Sequence, residues 1–344
     1  MRVMFRADAG PSIGAGHVRR CLSLAEELGR RGWHLHLVTS RTTPATVPLP
    51  EGLELTLLDD QALADPAVLG DVAEAEVIVV DHYELGLEYE AALPPAHLVV
   101  LEDLPNRRHR CDLLLAPSAS RSDDYRPWVS PGCRVLHGAT YALLRRRFLE
   151  LSKARRFSDG RPCERVLISC GATDPTDLTS LLLKALPERP LDVTIALSSA
   201  APNLARLTKV VSRWTGNARV KLLRDVMEMA ELMAASDLFV GAAGSSCWEA
   251  CCLGLPMLVF QVVPNQAQVV QQLLESQASL SLDTEVPTSQ ICQTLQQLVD
   301  DPELRQRLSQ NAAQLVDGFG CSRVADEIER LVRGSSPGES KGGA

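Results

Sequence analysis

The sequence alternates short apolar segments with amphipathic helical patterns, and this alternation constrains the fold more than any other feature. The predicted strands are Val3–Ala7, His34–Thr39, Leu53–Leu58, Val77–Val80, Leu98–Leu101 and Leu113–Leu115, followed by Arg165–Ser169, Asp192–Leu197, Arg219–Leu222, Leu238–Gly241 and Met257–Gln261. Helical spacing separates them, as where Val18, Cys21, Leu22 and Ala25 recur at i, i+3, i+4 and i+7. Such alternation predicts βαβ units and mostly parallel sheets, that is, an α/β protein.

The length of 344 residues indicates two domains. We expect an N-terminal Rossmann-like domain over 1–148 and a linker over 149–163, because the surrounding stretch is basic and polar without a clear strand. A C-terminal Rossmann-like domain is expected over 164–333, with helices dominating after Asn265. The Gly/Ser-rich segment 334–344 is predicted to be a disordered tail. Two such domains are expected to face each other across a cleft.

Composition excludes several classes of protein. Hydrophobic residues make up 45% and charged residues 23%, which excludes a largely disordered or fibrous chain. The net charge of −8 disfavours binding to nucleic acid, whose affinity comes mainly from basic contacts to phosphate. No apolar run approaches the roughly 20 residues that a membrane span requires, and charges at Arg6 and Asp8 exclude a signal peptide. We therefore expect a cytoplasmic protein without a membrane span.

The ten cysteines show no CxxC pair. Cys247, Cys251 and Cys252 lie close together, but no histidine follows His137 to complete a zinc set. We interpret the cysteines as small buried hydrophobic residues and predict no metal.

Glycine-bearing junctions follow three of the predicted strands. They are Gly14-Ala-Gly-His17, Cys170-Gly-Ala-Thr-Asp-Pro175 and Gly241-Ala-Ala-Gly-Ser-Ser246. Glycine lets backbone approach a ligand, and a helix that begins at such a junction offers unpaired N–H groups to an anion. None has the dinucleotide or Walker pattern, and each glycine could serve only a tight turn. In open α/β sheets, however, ligands bind beyond the carboxyl ends of strands.

Several polar side chains at these junctions are candidates for chemistry. The positive end of a helix dipole disfavours imidazolium, so His17 suits a general base, although it could instead pack the turn. Ser245 and Ser246 could cap a helix or meet phosphate oxygens, and Glu249 could accept from ribose hydroxyls or act as a first-turn charge. The segments Asp81-His-Tyr83 and Glu102-Asp103 lie at the ends of two further strands, where their acidic side chains could contact a sugar hydroxyl or a leaving group, or cap a helix.

These motifs together resemble a known family. The carrying blocks are Arg6 to Ala25, Asp81-His-Tyr83, Glu102-Asp-Leu104, His109 to Leu115, Gly138 to Arg145, Cys170 to Pro175, Gly244 to Glu249, Leu253 to Pro256 and Asn265-Gln266. In this order they are similar to the UDP-2,4-diacetamido-2,4,6-trideoxy-β-L-altropyranose hydrolases of pseudaminic acid biosynthesis. The resemblance implies a GT-B fold like that of MurG-type glycosyltransferases.

The resemblance also implies a reaction and roles for residues. Water would attack C1 of the UDP-sugar with inversion and release UDP, without a metal or cofactor. His17 would be the general base and Tyr83 would support the sugar or the base. Glu249 would hold the uridine ribose, and Gly171 and Asn265 would contact substrate. The remaining substrate-binding positions expected in the matched motifs are Asp8, Gly14, Gly16, Gly244, Ser245, Ser246 and Gln266.

Two other functions remain open from the sequence. A glycosyltransferase of the same fold would pass the sugar to an acceptor rather than to water. A non-catalytic subunit would bind the nucleotide sugar and tolerate loss of His17. Fold alone does not separate these alternatives, because function depends on the site.

Overall fold

The computed structural model describes residues 1–10, 13–59, 61–70, 75–94, 96–154 and 161–334. The chain forms two compact units. Unit 1 contains Met1–Pro117, Arg121–Leu143 and the chain from Phe319, whereas unit 2 contains Ser118–Ser120 and Leu144–Gly318. Residues 11–12, which precede the first glycine junction, 155–160 of the expected linker and 335–344 of the expected tail lie outside the described residues.

The strands are β1 Arg2–Ala7, β2 His34–Ser40, β3 Glu54–Leu58, β4 Val77–Asp81, β5 His97–Leu101, β6 Leu113–Ala116, β7 Arg134–His137, β8 Arg165–Ser169, β9 Asp192–Leu197, β10 Arg219–Arg224, β11 Leu238–Ala242, β12 Met257–Phe260 and β13 Leu280–Leu282. The helices are α1 Gly16–Arg30, α2 Thr43–Thr46, α3 Ala67–Gly70, α4 Leu87–Ala91, α5 Arg146–Ala154, α6 Leu178–Lys184, α7 Leu204–Ser212, α8 Met229–Ala234, α9 Ser246–Cys252, α10 Ala267–Glu275, α11 Thr288–Asp300, α12 Pro302–Leu315 and α13 Gly320–Gly334. Short 3-10 turns cover Ser122–Asp124, Arg126–Trp128, Ala139–Tyr141 and Pro264–Gln266.

Unit 1 is built on a parallel sheet that has seven strands in its described residues, in the order β3-β2-β1-β4-β5-β6-β7. The order places β1, β4 and β5 side by side at the centre. In the register, Ala7 lies opposite Asp81, the last residue of β4. Because all these strands run in one direction, the residues that follow β1, β4 and β5 meet at the same edge of the sheet.

Helices α1 and α13 cover the core of unit 1. The buried face of α1 carries Val18, Cys21 and Ala25, as the helical spacing predicts, together with Leu24, whereas Leu22 is only half-buried. Helix α13 packs against α1 and buries its own apolar face in the same core. At its first residue, Gly320, a Cβ atom would lie 2.1 Å from the carbonyl oxygen of Ala142, so only glycine permits this approach.

Unit 2 is built on a second parallel sheet, in which the described residues form six strands in the order β10-β9-β8-β11-β12-β13. The adjacent strands β8, β11 and β12 each lead into one of the polar loops identified in the sequence. Gly241 in β11 lies opposite Ser169 of β8, where a Cβ atom would come within 1.9 Å of the Ser169 carbonyl oxygen. The two strands approach too closely there for any larger residue.

The predicted α/β architecture and all eleven predicted strands are confirmed. Strands β7 and β13 were not predicted, because each has only three or four residues, of which only two are apolar. The expected C-terminal domain also differs from unit 2. The expected domain extends to residue 333, whereas α13 belongs to unit 1. The first part of the expected linker belongs to α5, within unit 2.

The longest described helices, α1 and α13, have 15 residues each. None of the helices in the described ranges has both the length and the apolar composition needed to cross a bilayer.

Candidate functional site

In unit 1, one cluster of polar side chains lies where β1, β4 and β5 end. His17 is the second residue of α1, directly after the loop that follows β1. Asp81 is the last residue of β4, with Tyr83 two positions later, and Asp103 follows β5. The structure therefore brings together His17 and Tyr83, two residues expected from the sequence, with two acidic residues whose role the sequence left open.

The buried Asp81 carboxylate orients His17. Their Nδ1 and Oδ1 atoms lie 2.5 Å apart, and Asp81 is fully buried. Burial raises the pKa of Asp81, but the charges of Arg20 and His17 outweigh it and hold that pKa well below its usual range. An ionised carboxylate only accepts hydrogen bonds, so the His17 Nδ1 atom carries the proton. In neutral His17 the Nε2 atom is then a proton acceptor.

The Nε2 atom of His17 makes no hydrogen bond to any residue in the described ranges. His17 as a whole is only 5% exposed. The ring of Tyr83 meets it edge to face, with ring centroids 4.5 Å apart and an interplanar angle of 84°. Tyr83 itself is 40% exposed. When the imidazole is neutral, this arrangement places its proton-accepting nitrogen in a residue held between Asp81 and the Tyr83 ring, as a positioned general base requires.

Arg20 links the two acidic residues of this cluster. Its Nε and Nη2 atoms donate to both oxygens of Asp81 at 2.6 Å, and its Nη1 atom donates to Asp103 at 2.8 and 2.9 Å. The Tyr83 hydroxyl donates to the same Asp103 carboxylate at 2.9 Å. Burial lowers the pKa of Arg20, but the charges of Asp103 and Asp81 outweigh it and raise that pKa well above its usual value. A continuous chain of hydrogen bonds therefore runs from His17 through Asp81, Arg20 and Asp103 to Tyr83.

Sequence reasoning did not identify Arg20 or the roles of Asp81 and Asp103. A signal was present: Arg20 lies three residues after His17, on the same face of α1. Pairing it with Asp81 and Asp103 requires the strand order, because 61 and 83 residues separate these partners along the chain.

A second hydrogen-bond network, centred on Arg107, holds the loop that carries Tyr83. Arg107 donates to the carbonyl oxygen of His82 at 2.6 Å and also to that of Tyr83. Its Nε atom donates to the buried Glu102 at 2.6 Å, and Glu102 in turn lies 3.1 Å from His109 Nε2. Arg107 and Glu102 therefore hold the backbone that carries Tyr83.

The other predicted residues of unit 1 have mainly structural contacts. Asp8 accepts from the Ser40 amide at 2.7 Å, pairs with Arg6 at 2.7 Å and lies 3.4 Å from His82 Nε2. Burial raises the pKa of Asp8, but the hydrogen bonds from His82 and Arg6 outweigh it and lower that pKa well below its usual range. The Gly14 amide donates to the Gly10 carbonyl at 2.8 Å, and its φ of +79° explains the glycine. Gly16 begins α1.

In unit 2, the predicted residues gather at the ends of three adjacent strands. Gly171 follows β8 with φ +86°, and Gly244, Ser245 and Ser246 follow β11, while Asn265 and Gln266 lie in the 3-10 turn after β12. The amide and hydroxyl groups of Ser245 and Ser246 donate no hydrogen bond within the described part of the chain.

Glu249 and Gln266 have definite contacts in unit 2. Glu249 on α9 is half-buried and lies 3.7 Å from Arg145, measured between Oε1 and Nη2. The Gln266 side-chain oxygen accepts from the Val262 amide at 2.8 Å, so it shapes its own loop. Half-buried Asn265 precedes it. The unit thus presents amide donors, hydroxyls and one carboxylate at one edge of its sheet.

The described residues contain no group of three His, Cys, Asp or Glu side chains placed to hold a metal ion. Metal independence stays a prediction. The cluster of Cys247, Cys251 and Cys252 is buried, and burial raises the pKa of all three thiols.

Comparisons with known proteins agree with this architecture. Residues 165–326 match the glycosyltransferase family 28 C-terminal domain. The chain is 28% identical over 270 residues to the UDP-2,4-diacetamido-2,4,6-trideoxy-beta-L-altropyranose hydrolase of Campylobacter jejuni, covering 77% of this chain and 93% of that protein. It is 24% identical over 344 residues to the spore coat polysaccharide biosynthesis protein SpsG of Bacillus subtilis, covering 96% and 98%.

Among solved structures, MurG of Acinetobacter baumannii has a similar fold. The TM-score is 0.67 at 12% sequence identity, with 96% of this chain and 99% of MurG covered. The predicted GT-B-like fold and the predicted resemblance to the UDP-sugar hydrolases are both confirmed.

Proposed function

We propose that this protein is a hydrolase that cleaves UDP-2,4-diacetamido-2,4,6-trideoxy-β-L-altropyranose at its C1–O bond, with inversion. The products are UDP and the free sugar, a step of pseudaminic acid biosynthesis in the cytoplasm. The observation that carries the proposal is the pairing of His17 with the buried, ionised Asp81, which leaves Nε2 as a proton acceptor beside Tyr83. The similarity to the Campylobacter jejuni hydrolase supports the choice of substrate.

In the proposed reaction His17 acts as the general base. Its Nε2 atom removes a proton from water as the water oxygen bonds to C1 of the sugar. The C1–O bond to the diphosphate breaks, and UDP leaves with the bonding electrons. The imidazolium that forms is stabilised by Asp81, whose 2.5 Å contact keeps the ring oriented. A positioned base of this kind contributes about 10²–10⁴-fold to the rate.

Tyr83 is proposed to support the base and the sugar. Its ring packs against the His17 imidazole in a T-shaped contact, and its hydroxyl donates to Asp103 at 2.9 Å. Asp103 also binds Arg20, and Arg20 binds Asp81. A substitution at Tyr83 therefore affects His17 both through the ring contact and through this chain of hydrogen bonds.

Unit 2 is proposed to bind the UDP moiety. The N–H and hydroxyl groups of Ser245 and Ser246 suit the diphosphate oxygens, which take up negative charge as UDP leaves. The Glu249 carboxylate suits the ribose hydroxyls, and Arg145 lies 3.7 Å from it. Gly171, Gly244 and Asn265 are proposed to contact the substrate, together with Gln266, Asp8, Gly14 and Gly16 from the matched motifs. No metal is required in this scheme.

The test is UDP release from the proposed UDP-sugar in ¹⁸O-labelled water, with no acceptor present. We expect UDP to appear with the label on the sugar, and we expect His17→Ala to lower turnover by about 10²–10⁴-fold. His34→Ala is the matched control, because His34 lies exposed at the start of β2, away from the cluster.

Each other outcome has a definite meaning. Label on the phosphate would show attack at phosphorus and refute the C1 mechanism. Turnover only after an acceptor is added would identify a glycosyltransferase, and this alternative is consistent with the match to family 28. UDP binding without turnover in either assay would identify a binding subunit.

A further inference from the structure

Two cysteines outside the proposed catalytic cluster lie in contact in unit 1. The Sγ atoms of Cys111 and Cys133 are 3.5 Å apart, although 22 positions separate the two residues in the sequence. Cys111 lies two residues before β6, and Cys133 lies one residue before β7. In the described structure both are thiols. Neither contributes to the proposed hydrolysis.

The backbone fixes this contact. Leu113 pairs with Arg134 in the parallel register, and the Arg134 amide donates to the Asp112 carbonyl at 2.9 Å. The Cys133 amide donates to Ser130 at 3.0 Å across a tight turn that contains Gly132 with φ +91°. The strand pairing and the turn therefore hold the two sulfur atoms next to each other. They need to approach by about 1.5 Å to reach bonding distance.

The pair is accessible to a small reagent. Both cysteines line a cavity of about 450 Å³, together with Arg110 and Gly132. Cys133 is half-buried, whereas Cys111 is 6% exposed. Cys133 is thus the thiol that a reagent reaches, and Cys111 lies behind it.

The two thiols also differ in acidity. The hydrogen bond between the two sulfur atoms lowers the pKa of Cys133. The same hydrogen bond, with burial, raises the pKa of Cys111. Since thiolate is the nucleophilic form, Cys133 is the more reactive of the two.

We propose that Cys111 and Cys133 are a redox-active pair that a small-molecule disulfide converts reversibly into an intramolecular disulfide. The Cys133 thiolate attacks one sulfur of the reagent, forms a mixed disulfide and expels the first thiolate. Cys111 then attacks the Cys133 sulfur and expels the second thiolate. The reagent gains two electrons and takes up the two protons lost by the cysteines, so it leaves as two thiols.

The disulfide closes a loop whose two ends are 22 positions apart in the sequence, where β6 and β7 begin in unit 1. Such a cross-link restricts the unfolded chain more than the folded one. We expect the thermal midpoint of unit 1 to rise by roughly 5–10 °C on oxidation. This inference does not depend on the proposed hydrolase function.

The experiment exposes the full-length protein to glutathione disulfide, blocks remaining thiols with N-ethylmaleimide and maps tryptic peptides by mass spectrometry. Cleavage after Arg110, Arg121 and Arg134 gives peptides 111–121 and 122–134, each of which contains one cysteine. We expect these two peptides to be joined, at two hydrogens less than their summed mass, and to separate again in dithiothreitol. The thermal midpoint is measured on the same samples.

Variants distinguish the proposal from general thiol reactivity. Cys111→Ser should leave Cys133 as a mixed disulfide with glutathione and abolish the rise in the thermal midpoint. Cys292→Ser is the matched control and should change neither, because Cys292 is also half-buried but has no neighbouring thiol in the described residues. Recovery of Cys133 as its maleimide adduct, or as a glutathione adduct in the unsubstituted protein, would overturn the proposal.

Discussion

The buried His109 provides a prediction about how the stability of unit 1 depends on pH. Its Nδ1 atom lies 2.6 Å from Glu90 and its Nε2 atom 3.1 Å from Glu102, and all three side chains are buried. Two carboxylate acceptors require two N–H donors, so the imidazolium form fits this site. Burial lowers the pKa of His109, but the hydrogen bonds to Glu102 and Glu90 outweigh it and raise that pKa to about 9.

The magnitude follows from the difference between this pKa and that of an unfolded histidine, 6.5. The raised pKa of His109 means that the folded state holds the proton more tightly than the unfolded state. Below pH 6.5 both states are protonated and the stabilisation is fully present. This stabilisation is lost as the pH rises towards 9. The difference between the two pKa values corresponds to about 3 kcal/mol in the free energy of unfolding. At a slope of roughly 2 kcal/mol/M, the urea midpoint should fall by about 1.5 M.

The assay must report on unit 1 alone. Samples are equilibrated in urea at pH values from 6 to 10, pulse-labelled with deuterium at one fixed pH and digested, and peptides covering 97–116 are followed by mass spectrometry. We expect the fall in midpoint in the unsubstituted protein and in His34→Gln, whose side chain is exposed on β2. His109→Gln should be less stable at pH 6 and should lose most of the dependence between pH 6.5 and 9.

A constant midpoint between pH 6.5 and 9 would refute the reasoning. So would an equal fall in His109→Gln, because the proton released would then belong to another group.

Three further predictions concern the proposed base and the packing of unit 2. Asp81→Asn should lower turnover of the proposed UDP-sugar by about 10²–10⁴-fold, because it removes the carboxylate that orients the base, with UDP affinity by calorimetry unchanged. Gly241→Ala should destabilise unit 2 by at least about 1–3 kcal/mol in urea unfolding, since its Cβ would lie 1.9 Å from the Ser169 oxygen. Asp301→Ala should cost about 1 kcal/mol in the same assay, because the Asp301 side chain accepts from the Leu304 amide at 2.8 Å and caps α12; restoration by Asp301→Asn is the control.

Fold-level features were readable from the sequence because they depend on local patterns. Apolar runs bounded by glycine predicted eleven strands, and helical spacing predicted α1. The two strands that were missed, β7 and β13, are too short to give a pattern of their own, and their parallel pairing with β6 and β12 identifies them. The sequence also did not predict that α13 belongs to unit 1. The apolar face of a helix does not specify which core it packs against, and the contact between α13 and α1 decides this.

The candidate site divides in the same way. The sequence by itself determined that His17 lies at the start of a helix and that Asp81, Tyr83 and Asp103 lie at or just after the ends of strands, because those placements depend on neighbouring residues. Only the tertiary structure decided that β1, β4 and β5 are adjacent, and therefore that Arg20 joins Asp81 to Asp103. The contact between Cys111 and Cys133 likewise exists because β6 pairs with β7. Local patterns specify which element a residue occupies, whereas charge pairs and thiol contacts depend on strand order, which no local pattern encodes.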